Sequence, residues 1–261
     1  MQDLCALVLA GTRPGGDALA EHAGVSHKAL IDIGGATMIE RVVAALSDAP
    51  EVARIVIAID RPELLTDLVG LRACAKPLTT MPTQDGPSAT VAMAMAMALV
   101  REFTPLLVTT ADHALLQTQW VQEFLAACPP EADVVAALAP RAAVEAAAPA
   151  THRTWLRFSD GDFSGCNLFL LARPRAAGAV NFWRDIEHDR KQPLRMMQRL
   201  GWRFALRYKA GQLGSAAAAA RLGELSGGAR LALVSMRDGR AAIDVDKAED
   251  LALARRLISE R

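Results

Sequence analysis

The segment Leu4 to Gly16, LCALVLAGTRPGG, constrains the fold more than any other stretch, because an unbroken apolar run ends abruptly in glycine. The run Leu4–Leu9 predicts a buried strand, and Ala10-Gly11-Thr12-Arg13-Pro14-Gly15-Gly16 turns the chain at its carboxyl end. Glycine at such a turn lets backbone N–H groups approach phosphate oxygens with no Cβ in the way. Arg13 and Lys28 bracket the turn with two positive charges. A second short strand is expected over Ala29 to Ile33, followed by Gly34-Gly35 and an amphipathic helix from Met38 to Leu46. A tight turn in any α/β domain would use the same glycines, so it is the basic pair and the carboxylates downstream that favour a phosphate site.

Other ways of building such a site are not supported. The chain contains no G-x-x-x-x-G-K-[ST], and no G-x-G-x-x-G followed by an acidic residue roughly 20 positions later. His22, His27, His113, His152 and His188 lie in no nucleophile-elbow context and no G-x-S-x-G occurs, so Ser/His/Asp hydrolysis is unsupported. His113, beside Asp112, reads as a supporting residue.

Along the chain, apolar runs alternate with helical patterns. Strands are expected at Ala53–Ile59, Pro105–Thr110 and Ala132–Ala137, and helices around Pro62–Gly70, Ser88–Phe103 and Thr118–Ala127. This rhythm implies a three-layer α/β/α domain with a mostly parallel mixed sheet. After Pro140 the rhythm changes. Trp155–Phe158 and Cys166–Leu171 read as a strand pair across Ser159-Asp160-Gly161-Asp162, and a mostly helical stretch runs from Arg175 to about Leu225. Leu231–Ser235 and Ala241–Val245 read as late strands before a helix at Ala248–Ser259. The chain is thus read as one domain, with a nucleotide-binding half over 1–138 and an acceptor-binding half with the closing helix over 139–261.

Two carboxylate positions stand out. Asp112 lies just past an apolar strand, where open α/β sheets place ligands, and a carboxylate there suits Mg²⁺, although a turn or cap aspartate is common at such a place. In Ile243-Asp244-Val245-Asp246, strand alternation would send the two carboxylates to opposite faces, so one of them is expected at the site. Asp246, nearer the helix, could instead cap it, with Glu249 completing a capping box. Gly86-Pro87-Ser88 opens a helix, where Ser88 could cap or present its hydroxyl and nearby amides to a base or ribose. Met93, Met95 and Met97 recur every second residue and read as packing.

The bulk properties set limits. The 29 basic and 29 acidic residues balance, so no global field favours nucleic acid or an anionic membrane, and phosphate binding must come from local charge. The N-terminus lacks the basic region of a signal peptide, and Ala89–Val100, the longest apolar run elsewhere, is too short to span a bilayer. Cys5, Cys74, Cys128 and Cys166 show no zinc or redox spacing and read as reduced thiols, which fits the cytoplasm. The alanine-rich stretches at 139–150 and 216–220 read as helix or linker.

With these residues in view, the order Leu9-Ala10-Gly11-x-Arg13, then Lys28-Ala29-Leu30 and Gly34-Gly35, resembles the N-terminal signature of the MobA-like nucleotidyltransferases, whose fold is of the GT-A type with a Rossmann-like nucleotide-binding half. Gly86-Pro87-Ser88 is similar to the family's base-proximal loop and Thr110-Ala111-Asp112 to its metal-aspartate strand end. Ser164-Gly165-Cys166-Asn167 resembles an acceptor-side strand, and Asp244 to Leu251 resembles the closing D-x-D-T-P-E-D-L segment. Two departures are a longer first loop, with Asp17 to His27 as a lid or small helix, and Lys247-Ala248 in place of Thr-Pro.

The resemblance implies attack by an acceptor phosphate on the α-phosphorus of an NTP, with pyrophosphate released. It implies nucleotide contacts from Leu9, Ala10, Gly11, Thr12, Arg13, Lys28, Gly86 and Ser88, with Arg13, Lys28 and Asp112 catalytic. Asn167 would contact the acceptor, and Asp112 and Asp246 would hold Mg²⁺, with Asp244 the alternative second ligand. The implied partners are an NTP and a phosphorylated small molecule, not nucleic acid or a membrane, and a homodimer is left open. A GT-A glycosyltransferase using a nucleotide sugar, and a non-catalytic nucleotide-binding protein, are the rival readings. Arg190 to Arg195 is either a clamp for an acceptor phosphate or a solvated basic helix end.

Overall fold

A computed structural model describes residues 4–12, 15–100, 104–149, 151–189 and 193–260. Arg13 lies outside the described residues, as do Arg190, Lys191 and Gln192 of the basic segment.

The apolar run Leu4–Leu9 forms β1, and the longer first loop contains a short helix, α1 (Ala18–His22). Asp17 caps α1, its carboxylate accepting the Leu19 and Ala20 N–H groups at 2.9 and 3.1 Å. Next comes α2 (Met38–Ser47), closed by a capping box between Thr37 and Glu40. It is followed by β2 (Val52–Ala58), a 3-10 turn at Pro62–Leu65, α3 (Val69–Arg72), β3 (Leu78–Met81), α4 (Pro87–Val100), β4 (Leu106–Thr110), α5 (Thr118–Ala127), β5 (Val134–Pro140) and α6 (Arg141–Ala147). A hairpin of β6 (Leu156–Phe158) and β7 (Gly161–Leu171) leads to α7 (Ala176–Asp189), α8 (Pro193–Leu200), α9 (Trp202–Lys209) and α10 (Ser215–Leu225), and the chain ends with β8 (Leu231–Ser235) and α11 (Ala248–Ser259).

Two expected strands are not strands. Over Ala29–Ile33, the Leu30 and Ile31 N–H groups bond back to the His27 and Lys28 carbonyls, making a 3-10 turn at Lys28–Leu30. The apolar side chains that suggested a strand are buried all the same, Ile31 and Ile33 among them. Over Ala241–Val245 the chain instead makes a 3-10 turn at Gly239–Ala242, begun by Asp238 accepting the Arg240 N–H. Gly239 lies so close to the α6 backbone that a Cβ there would stand 2.2 Å from the Ala143 carbonyl carbon. The single helix expected over Pro62–Gly70 is a 3-10 turn and the separate short α3.

One mixed sheet runs in the order β3-β2-β1-β4-β7-β5-β8, with β6 paired to β7. β3, β2, β1 and β4 are mutually parallel, β5 and β8 are parallel, and β7 runs antiparallel between β4 and β5. Strand alternation sends Leu4, Ala6 and Val8 of β1 into a core with α2, α5 and α11, while Cys5 and Leu7 pack with α4 and α7 on the other face. The chain winds from β1 outward to β3, then crosses through α4 to β4 on the opposite side of β1. The carboxyl ends of β1 and β4 therefore flank the topological switch, where open α/β sheets bind ligands.

Candidate active site

The switch point gathers the residues that carry charge. Asp112 follows β4 directly, with Thr110 at the strand end donating its hydroxyl to Asp112 Oδ1 at 2.5 Å. Lys28, at the start of the 3-10 turn, reaches across to donate to Asp112 Oδ2 at 2.6 Å and to Asp246 Oδ1 at 2.7 Å. Burial alone would pull the Lys28 ammonium down, but charge pairing and hydrogen bonds from Asp112 and Asp246 outweigh it and hold the pKa above the ordinary lysine value. The site thus joins three residues far apart in sequence into one ionic bridge.

The Asp112 carbonyl accepts the Val245 N–H at 3.0 Å, which ties the segment before α11 to the end of β4. Because that segment is not a strand, alternation does not separate its two carboxylates as expected. Asp246 turns to Lys28, while Asp244 accepts from Arg153 Nη1 at 2.6 Å and from Asn167 Nδ2 at 3.0 Å. Burial raises the Asp244 carboxyl above its usual range, with Asp246 and Asp112 adding repulsion that Arg153 opposes. Asp246 is not the helix cap, and Glu249 does not complete a capping box. The cap position is Lys247, and Asp250 closes the first turn by accepting the Asp246 and Lys247 N–H groups at 3.2 and 3.3 Å. Glu249 pairs instead with Lys247 Nζ at 3.0 Å.

Asn167 lies within β7 at φ +47°, the positive-φ non-glycine residue among the described residues. The β5–β7 register shifts between Ala136 and Leu138 beside it. Left-handed backbone in a strand is costly, and asparagine tolerates it better than most residues. Here the distortion accompanies an Asn167 side chain bonded to Asp244.

The glycine turn is held by contacts that the sequence did not single out. Ala10 N–H bonds to the Ala58 carbonyl at 2.9 Å, the Leu9 carbonyl accepts the Ala111 N–H at 2.9 Å, and Thr12 N–H donates to Asp60 Oδ1 at 3.0 Å. The Ala10 and Thr12 amides, expected to face a nucleotide, are thus already engaged. Asp60 Oδ2 also meets His27 Nε2 at 3.0 Å, so a buried histidine beside Lys28 is clamped to the turn. Burial would raise the Asp60 carboxyl, but the Thr12 N–H and His27 hold it below its usual range. Gly11 itself is required by packing, since a Cβ there would stand 2.5 Å from Thr83 Cγ2 in the loop after β3.

Gly86 and Ser88 flank the amino end of α4. Ser88 is buried and its N–H donates to Glu187 Oε2 of α7 at 3.1 Å, so a nucleotide contact through that amide would have to displace Glu187. Arg195, from the basic segment, stands 3.8 Å from the Asp189 carboxylate.

Arg153, Asp60, His27 and Asp250 were not picked out by sequence. Signals existed for two of them, the neighbourhood of His27 to Lys28 and the place of Asp250 within the closing segment Asp244 to Leu251.

A glycine turn, a lysine and paired aspartates at the switch point of such a sheet are the build of a nucleotide-dependent transferase. The chain belongs to the MobA-like NTP transferase family, whose domain model matches residues 6–197, and it is accordingly a nucleotidyltransferase. It is similar over 96% of its length, and all of the other chain, to a hypothetical transferase from Thermus thermophilus, at 31% identity and TM-score 0.79. The fold is also shared with 4-diphosphocytidyl-2C-methyl-D-erythritol synthase from Anaerococcus prevotii, at 10% identity and TM-score 0.62, each chain covered to 99%. A CMP:2-keto-3-deoxy-manno-octonic acid synthetase solved with CTP matches at 14% identity and TM-score 0.58, again with 99% of each chain covered. No curated protein matches the chain. Among the described residues no helix is long and apolar enough to cross a membrane.

Proposed function

We propose that this protein transfers a nucleoside monophosphate from an NTP to a phosphorylated small-molecule acceptor. An acceptor phosphate oxygen forms a bond to the α-phosphorus, the bond from that phosphorus to the β-phosphate bridging oxygen breaks, and pyrophosphate leaves with the electron pair. The reading is carried by Lys28 standing between Asp112 and Asp246 at the carboxyl edge of β1 and β4.

The donor set suits a hard divalent cation. Two carboxylate oxygens converge on one ammonium, and Mg²⁺ is usually bound by one or two carboxylates together with substrate phosphates. Among the described residues no group of three or more His, Cys, Asp or Glu is placed to hold a metal ion by itself. Asp112 and Asp246 would hold Mg²⁺, and Asp244, already tied to Arg153 and Asn167, is the weaker candidate. When bound, the ion would neutralise phosphate charge.

Lys28, and Arg13 by its place in the sequence, would orient the triphosphate and stabilise charge on the departing pyrophosphate. Gly11 lets the turn approach the phosphates closely, and Gly86 with Ser88 would border the base. Asn167, fixed on Asp244, would present the acceptor.

The test is pyrophosphate release with Mg²⁺, using CTP, GTP, UTP and ATP against sugar, polyol, lactate and molybdopterin phosphates. Release with one nucleotide that needs an acceptor is expected. It should fall on the order of 10²–10³ in Asp112→Asn and in Asp246→Asn. Asp244→Asn should lose more melting temperature than Asp246→Asn, because its carboxylate is the more tied down. Consumption of a nucleotide sugar without pyrophosphate would replace this reading with glycosyl transfer.

A further inference from the structure

Between Asp189 and Glu224 the chain carries no acidic side chain but eight Arg and Lys, within a sequence whose total charge is zero. The global balance that argued against an anionic surface therefore hides a local excess. Within that stretch α9, WRFALRYK, has no buried residue. It nevertheless has a definite inner side. Tyr208 meets Phe158 edge-on at 6.1 Å between ring centroids, and its hydroxyl accepts the Arg157 N–H at 3.3 Å, which fixes the helix on the β6–β7 hairpin.

At about 100° per residue, Trp202 and Leu206 lie within about 40° of each other on a different side from Tyr208. Both are turned outward, Trp202 at 61% exposure and Leu206 at 54%. Arg203 and Arg207 fall on one flank of that pair and Lys209 on the other, and all three are exposed. The Arg203 guanidinium stands 5.3 Å from the Trp202 ring centroid. Arg195 and Arg199 of α8 are in contrast held by Asp189 and Arg221 pairs with Glu224, so among the described residues of this stretch the cations not held by a carboxylate lie on α9.

We propose that this outer face of α9 docks the protein on an anionic lipid surface. A tryptophan and a leucine one turn apart, framed by arginine and lysine, match what the boundary between headgroups and acyl chains accepts. A second copy of the chain fits worse, because a two-fold pairing would set Arg203, Arg207 and Lys209 against their own counterparts. The face also lies beyond residues 6–197, the span matched by the family, so it is no part of what family membership implies.

The full-length protein is floated with vesicles of roughly two parts phosphatidylcholine to one part phosphatidylglycerol, and with phosphatidylcholine alone. Binding to the anionic vesicles, lost in high salt and absent on neutral ones, is expected. The triple variant Arg203→Gln, Arg207→Gln, Lys209→Gln should bind on the order of 100-fold more weakly, at about fivefold per cation. Trp202→Ser with Leu206→Ser should lose at least about tenfold. Both variants should keep the wild-type melting temperature and pyrophosphate release, so a folding defect or a failed functional reading would be seen separately. No flotation at low salt, or flotation insensitive to the triple variant, overturns the proposal. So does a dimer in sedimentation velocity that Trp202→Ser abolishes, or retention by polyglutamate without binding to vesicles.

Discussion

Replacing Lys28 with methionine keeps an unbranched side chain, one atom shorter, and removes the ammonium that Asp112 and Asp246 share. On the Asp112 side both partners are mostly enclosed, with side-chain exposures of 21% and 17%, whereas Asp246 is 58% exposed. A charged hydrogen bond of the first kind is worth about 1.5–3 kcal/mol, and the wetter Asp246 contact adds about 0–1 kcal/mol. The expected loss is therefore about 2–4 kcal/mol, or about 5–15 °C in melting temperature for a chain of this size. Since the carboxylates raise the Lys28 pKa, this contribution is complete below the ordinary lysine value of 10.5 and is lost as pH rises from there through the raised folded value. A double-mutant cycle of Lys28→Met with Asp112→Asn, read by urea unfolding at pH 7, isolates the pair, and a coupling of at least about 1 kcal/mol is expected. Mg²⁺ should raise the melting temperature of Lys28→Met more than that of the wild type, because the two carboxylates then face each other without a counter-charge. Coupling within about 0.5 kcal/mol of zero would refute the energetic argument. Unchanged pyrophosphate release in Lys28→Met would refute the assignment of Lys28 to the triphosphate.

Two further outcomes follow from packing and burial. Gly11→Ala should destabilise by about 1–3 kcal/mol through its clash with Thr83, and adding Thr83→Ser, which deletes the offending Cγ2, should restore most of the loss; no rescue in thermal melts would point to another cause. Burial pushes the His113 imidazole down to about 4, against the pull of Asp112, so the native state keeps it neutral. The unfolded chain binds that proton first, so stability is full above pH 6.5 and falls as pH drops towards 4, by about 3 kcal/mol from this residue. His113→Gln should flatten that part of the urea-midpoint profile, and an unaltered slope between pH 6.5 and 4.5 would contradict it.

Periodicity made much of the frame legible. Thr118–Ala127 and Ala248–Ser259 are helices over the residues expected, and the apolar run at Leu4–Leu9 is the strand it resembled. Short segments misled because burial and strand pairing are different things. Ile31, Ile33 and Ile243 are all buried, yet their backbones turn locally instead of joining a ladder. The edge strand Leu78–Met81 gave the opposite error, being too short and too polar to show any pattern.

At the site, Lys28, Asp112 and Asp246 were visible because each sits at a recognisable strand end, turn or helix start. Arg153 and Asp60 were invisible, since nothing near either in sequence foretells a partner. Arg153 meets Asp244 only after the whole sheet has formed, and Asp60 finds Thr12 across 48 residues. Lys247-Ala248, which departs from the family's Thr-Pro, stands where the last helix begins. In the fold, Asp250 takes over the amides at that position.

The bridge through Lys28 spans 84 residues to Asp112 and 218 to Asp246. At about 5–20 residues per second, a ribosome needs roughly 10–40 s to get from the lysine codon to the last aspartate codon. For most of that interval a growing chain can close the shorter leg but not the longer one. The centre is therefore timed as well as shaped: it passes through a half-built stage on every round of synthesis, and chains arrested in that window would carry the nucleotide turn without the full set of charges.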